Sequence, residues 1–145
     1  MDYCGLSDEF LEEVRRVGTY DPDMPFQFWV MGKVLMGNDY DTARRLLEAN
    51  KDEFGGEYGY LVLDLAVEMC VNITADHIVD GRCVKRPVPE TIDFIKYLLD
   101  NGADPNLPKQ FNQLEHINDV EVDSSHQCRC EFDCSEVREL LKRYM

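Results

Sequence analysis

Residues 91–106 read TIDFIKYLLDNGADPN. Ile92, Ile95, Leu98 and Leu99 recur three and four residues apart, the spacing that gathers side chains on one face of a helix. The spacing predicts an amphipathic helix over 91–101. Gly102 is placed to end it in a left-handed conformation, where glycine has no Cβ to clash. Two other stretches align with this one, DTARRLLEANKD at 41–52 and SEVRELLKRYM at 135–145. Each has an apolar residue, a gap of two or three, and then a Leu-Leu pair, at 46/47, 98/99 and 140/141.

More apolar segments lie before and between these stretches. Residues 26–36 are mostly apolar, so that helix is expected to be buried on most sides. Gly37-Asn38-Asp39 then makes a short turn into the helix 41–49, which implies antiparallel neighbours. A further apolar helix is expected at 60–70 (YLVLDLAVEMC), and one or two helical turns at 112–117. At the N-terminal end, Ser7 is a good N-cap ahead of Phe10, Leu11, Val14 and Val17, with Gly18 as the stop and a Pro-rich break at 21–25. Ser135 is expected to cap the final helix, whose Val137, Leu140, Leu141 and Tyr144 share a face. Two long stretches, 71–89 and 118–133, read as loops.

LLDNGADPN closely resembles the end of an ankyrin repeat, where a Gly-Ala-Asp turn leaves the second helix. Residues 62–67 match the Leu and Ala positions of the ankyrin signature T-P-L-H-x-A, with Val62 in place of Pro and Asp64 in place of His. Residues 112–117 keep only the Leu. The Leu-Leu pairs are spaced more widely than the ~33 residues of a standard repeat, because of the stretches 71–89 and 118–133. The resemblance implies an all-α fold, a short solenoid of about three divergent helix pairs in a single domain, 1–145. Residues 1–24 would be an N-terminal capping helix and linker, and 25–52, 58–106 and 107–145 the repeats. It also implies a protein-binding surface with finger loops at 52–59 and 104–111. The first loop sets Asp52, Glu53 and Glu57 beside Phe54 and Tyr58, acids next to aromatics of the kind that anchor interfaces.

The chain has 145 residues, 44% hydrophobic and 30% charged, an ordinary globular composition. Its 29 acidic and 15 basic residues give a net charge of −14, which disfavours binding to a phosphate backbone. No apolar run is long enough to cross a membrane, and MDYCGLSDEF lacks the apolar core of a secretory signal. A cytoplasmic monomer with free thiols is expected. Acids concentrate at Asp119, Glu121, Asp123, Glu131 and Asp133, a field that steers basic partners or simply keeps the protein soluble. Arg82, Lys85 and Arg86 form a small basic cluster that either pairs with this acidic loop or reads a partner's carboxylates.

His126, Cys128, Cys130 and Cys134 lie within nine positions and carry the ligand types of a tetrahedral zinc site, with His116 as a spare. Cys128-x-Cys130 is tighter than the usual spacing, so free or buried thiols are the competing reading. A redox pair in this loop lacks the helix N-terminal setting of the usual motif. No phosphate loop, nucleophile elbow or HExxH helix is present. A Cys83–His77 dyad is not required by any spacing, and the acids at 119–123 lack the glycine and distal Glu of a calcium loop.

The sequence therefore points to a non-enzymatic protein-binding module without a cofactor. Small acidic ankyrin-like proteins are similar to immunity proteins, so one form of this reading is an inhibitor of a basic toxin or nuclease. The alternative is a metal-stabilised or thiol-responsive protein using the loop from Cys128 to Cys134. A third is a member of a larger assembly that stacks through its last helix, where Met145 follows Tyr144 with no polar tail.

Overall fold

The computed structural model describes residues 3–17, 26–54, 59–103, 105, 117 and 131–145. Along the chain these form α1 (Asp8–Val17), α2 (Phe26–Met36), α3 (Tyr40–Ala49), α4 (Lys51–Phe54), α5 (Gly59–Asn72), β1 (Thr74–Val79), β2 (Arg82–Pro87), α6 (Pro89–Asp100), β3 (Glu131–Phe132) and α7 (Ser135–Arg143). The chain divides into two compact units, Met1–Val62 and Leu63–Met145, with the division inside α5.

In the first unit α1 begins as expected, with the Ser7 hydroxyl accepting from the Phe10 N–H at 3.1 Å. Phe26, at the start of α2, meets Tyr3 edge-on with ring centroids 6.1 Å apart, and the Arg15 guanidinium lies 4.7 Å from its centroid. The α2–α3 turn joins two capping devices. Asn38 takes a left-handed φ of 58°. The Asp39 N–H then reaches back to Val34 O and the Asn38 N–H to Leu35 O, a Schellman closure of α2. Asp39 at once N-caps α3, accepting from the Thr42 N–H at 3.1 Å and the Thr42 hydroxyl at 2.6 Å. These bonds, the hydroxyl's first, hold the Asp39 carboxyl below its ordinary range. Val14, Val30, Met31, Val34, Leu35, Ala43, Leu46 and Leu47 are buried.

The second unit corrects the expectation of an all-α solenoid. Residues 74–87 are a β-hairpin, and 131–132 add a third strand, so the chain is an α/β protein with a mixed sheet in the order β1-β2-β3. β1 and β2 are antiparallel, with Val79 opposite Arg82 and Asp76 opposite Lys85. Asp80 and Gly81 form the two-residue turn at φ of 53° and 76°. Two successive positive φ values belong to a type I′ turn, whose twist matches that of the strands it joins. β3 runs parallel to β2, with Val84 opposite Glu131 and Lys85 opposite Phe132. A parallel pair needs a crossover, and the crossover here carries α6.

α6 starts at Pro89, two residues before the expected start, with Pro at the first position, where its missing N–H costs nothing. It ends as expected: Gly102 has a φ of 101°, its N–H bonds to Leu99 O, and the Ala103 N–H bonds to Leu98 O. Ser135 is the first residue of α7 and not its cap; Cys134 holds the cap position without a side-chain bond. The Leu-Leu pairs are all buried, as are Phe94, Ile95 and Val137. α7 thus buries its apolar stripe, leaving Met145 beyond it 54% exposed. The start of the first expected finger loop is helical, since Lys51–Phe54 form α4.

Candidate interaction surface

Side chains alternate across a sheet, so Arg82, Val84 and Arg86 share one face of β2. Parallel pairing puts Glu131 on that same face opposite Val84, with Asp133 two residues on. The ion pairs follow from this register. Arg82 Nη1 lies 3.1 Å from Glu131 Oε1, and Arg86 Nε lies 3.2 Å from Asp133 Oδ2. Two of the three cations of the β2 cluster, Arg82 and Arg86, are therefore met by acids of the same chain. Lys85 points to the opposite face, between Asp76 and Phe132, and its carbonyl accepts from the Asp133 N–H at 2.8 Å.

Asp133 links the sheet to α7. Its Oδ1 accepts from the Ser135 N–H at 3.0 Å and from the Ser135 hydroxyl, while Oδ2 takes Arg86. Together these hold the carboxyl below its ordinary range, the Ser135 hydroxyl contributing most. The Arg82–Glu131 pair is far more exposed, at 74% and 58% of the side chains, and contributes little energy.

The expected interaction residues are thus spread among different settings. Glu131 and Asp133 are engaged with arginines of their own chain. Asp52 is exposed on α4, and Glu53 and Phe54 belong to the same short helix. Glu57, Tyr58, Asp119, Glu121 and Asp123 lie outside the described residues, as does the finger loop at 104–111 apart from Pro105. Of the zinc candidates, His126, Cys128 and Cys130 also lie outside them, with the spare His116. Cys134 is described, and it is buried in the second unit with Cys70. Burial pushes the Cys134 thiol up to about 12 and the Cys70 thiol up to about 11. The Thr91 hydroxyl lies 3.5 Å from Cys70 Sγ. Among the described residues no three His, Cys, Asp or Glu side chains converge as a metal site would require. His77 and Cys83 are not cross-strand partners: His77 faces Val84, and Cys83 faces Ile78.

The exposed apolar groups of the hairpin are the feature the sequence reading missed. Ile78 is 76% exposed and Val79 38% exposed. The signal was present in ITADHIVDGRCVKRP, where Asp-Gly stands between runs containing β-branched residues, a strong short-range hairpin mark.

No helix among the described residues is long and apolar enough to cross a membrane. Comparison of the chain with protein-family models, curated proteins and solved structures gives no match.

Proposed function

We propose that the chain is a non-enzymatic protein-interaction module that binds a basic protein partner through its acidic surface. The supporting observation is how its charges are used. The net charge is −14, and two of the three β2 cations that would offset it, Arg82 and Arg86, are held by Glu131 and Asp133. Asp52, Asp76, Asp80, Glu90 and Asp93 remain exposed. Such a surface speeds encounter with a positively charged protein and repels nucleic acid. A basic toxin or nuclease held by an acidic inhibitor is the specific form of this proposal.

The ankyrin resemblance of 91–106 belongs to the same proposal and is limited to the helix pairs. It is supported by the Schellman closure at Gly102 and by the tight α2–α3 turn. A cytoplasmic location is proposed with it, a compartment that keeps thiols reduced.

Affinity capture with the tagged chain at low and moderate salt, read by mass spectrometry, tests the proposal. The expected result is a basic protein retained at low salt and released as salt rises. Retention of an acidic or neutral partner, indifferent to salt, would overturn it.

A further inference from the structure

The hydrogen-bond phase of the sheet shows which backbone groups of β1 face outward. The Val88 N–H reaches Ile73 O at 3.4 Å, and the Asp133 N–H reaches Lys85 O on the other side of β2. Inward and outward groups alternate in an antiparallel pair. The residue pair adjoining a two-residue turn, here Val79 and Arg82, is a bonded pair, in agreement with that phase. Ala75, His77 and Val79 therefore spend their polar groups on β2, and Thr74, Asp76 and Ile78 direct theirs away from it. Among the described residues β1 is the terminal strand of the sheet, with no strand on that side.

Among the described residues this edge carries few of the devices that usually protect one, the charge of Asp76 being the exception. Thr74–Val79 contain no proline and no lysine, and the register with β2 is unbroken by a bulge. At its exposed end stand Ile78 and Val79. We propose that the outer edge of β1, at Asp76 and Ile78, is where an extended segment of a basic protein partner adds a strand to the sheet. The inference rests on the proposed function and names its site.

Charge selects this occupant. Asp76 and Ile78 share a face of β1, so an added strand meets a carboxylate and an apolar side chain on that face. Asp76 is exposed; Lys85 stands opposite it on β2 but not within ion-pair distance, and Asp80 adds a second carboxylate at the turn. A segment alternating lysine or arginine with apolar residues fits both features. A second copy of this chain fits poorly, since it brings the same two acids to the edge and another charge of −14.

The test is fluorescence anisotropy of two labelled ten-residue peptides titrated with the full chain. One alternates lysine with valine; the other has equal charge but two valines replaced by proline, so it cannot form a strand. The alternating peptide is expected to bind about tenfold more tightly, because main-chain bonds supply affinity in strand addition. Asp76→Lys should weaken it about tenfold, by reversing the charge it meets. Ile78→Pro removes an outward N–H without touching the β1–β2 bonds and should abolish the difference between the peptides. Hydrogen exchange at His77 and Val79 checks that the hairpin persists. If Ile78→Pro opens the hairpin, the two peptides on the unaltered chain decide alone. Equal binding of both peptides, lost with salt, overturns the edge and leaves the acidic-surface reading standing. Concentration-dependent dimers abolished by Ile78→Pro also overturn it, since the occupant would then be a second copy.

Discussion

Arg86 and Asp133, 47 positions apart in sequence, meet at 3.2 Å between Nε and Oδ2 and fix the start of α7 against β2. Asp133 serves two neighbours at once, since its other oxygen takes the Ser135 N–H. Replacing it by alanine should cost about 1–2 kcal/mol, the scale of a lost helix cap with a partly exposed ion pair. Glu131→Ala should cost under about 0.5 kcal/mol, because its pair with Arg82 is solvated. Urea denaturation of the two variants separates these outcomes.

The same carboxyl sets an acid limb. Asp133 and Asp39 both titrate below their ordinary value of 3.8 in the folded chain. A depressed carboxyl contributes stability above its unfolded value, and the contribution is lost as pH falls through the folded one. Stability should therefore drop below about pH 4, and Asp133→Asn should flatten that drop. Denaturation midpoints measured between neutral and acid pH provide the check.

The hairpin depends on its turn. Asp80 and Gly81 both have positive φ, and a Cβ on Gly81 would meet no atom within 4 Å. Gly81→Ala therefore costs conformational energy alone, about 1 kcal/mol. Asp80→Asn should be neutral or slightly stabilising, since Asn-Gly suits a type I′ turn equally well. Thermal melting of both variants, with hydrogen exchange in β1, tests the pair.

Local signals were the legible ones. The Ser7 cap, the turn at 37–39, the buried Leu-Leu pairs and the left-handed Gly102 each depend on a few adjacent residues, and each stands in the structure. The sheet escaped for two reasons. Asp80-Gly81 is legible as a turn, but the long stretch around it reads as a loop between two helices. β3 was not legible: Glu131 and Phe132 form a strand only because β2 lies beside them, and nothing in two residues announces a parallel partner. The Arg82–Glu131 and Arg86–Asp133 pairs were half visible. Opposite charges stood in two loops, and only the register of β2 against β3 decided that they meet. Ser135 is itself the first residue of α7, and its N–H is taken by the Asp133 carboxylate two residues back.

The two buried thiols predict an alkaline limb. Cys70 is pushed up to about 11 and Cys134 to about 12 from an ordinary 9.0, chiefly because burial disfavours the thiolate. The neighbouring Cys70 and Asp133 charges raise Cys134 further, while the bond from Thr91 partly lowers Cys70. In the window above pH 9 the unfolded chain has lost these protons and the folded chain keeps them. The folded state then binds more protons, so stability falls as pH rises, by up to about 1.4 kcal/mol per pH unit for each thiol. The loss should run from the unfolded value to the folded values and then level off. Cys134→Ala should remove its share of the slope and, by deleting one buried sulfur, lower the plateau below pH 8 by only about 1 kcal/mol. Urea midpoints of the parent chain, Cys70→Ala and Cys134→Ala between pH 7 and pH 11 measure both effects. Parallel curves for all three would mean that these thiols ionise no later in the folded chain than in the unfolded one.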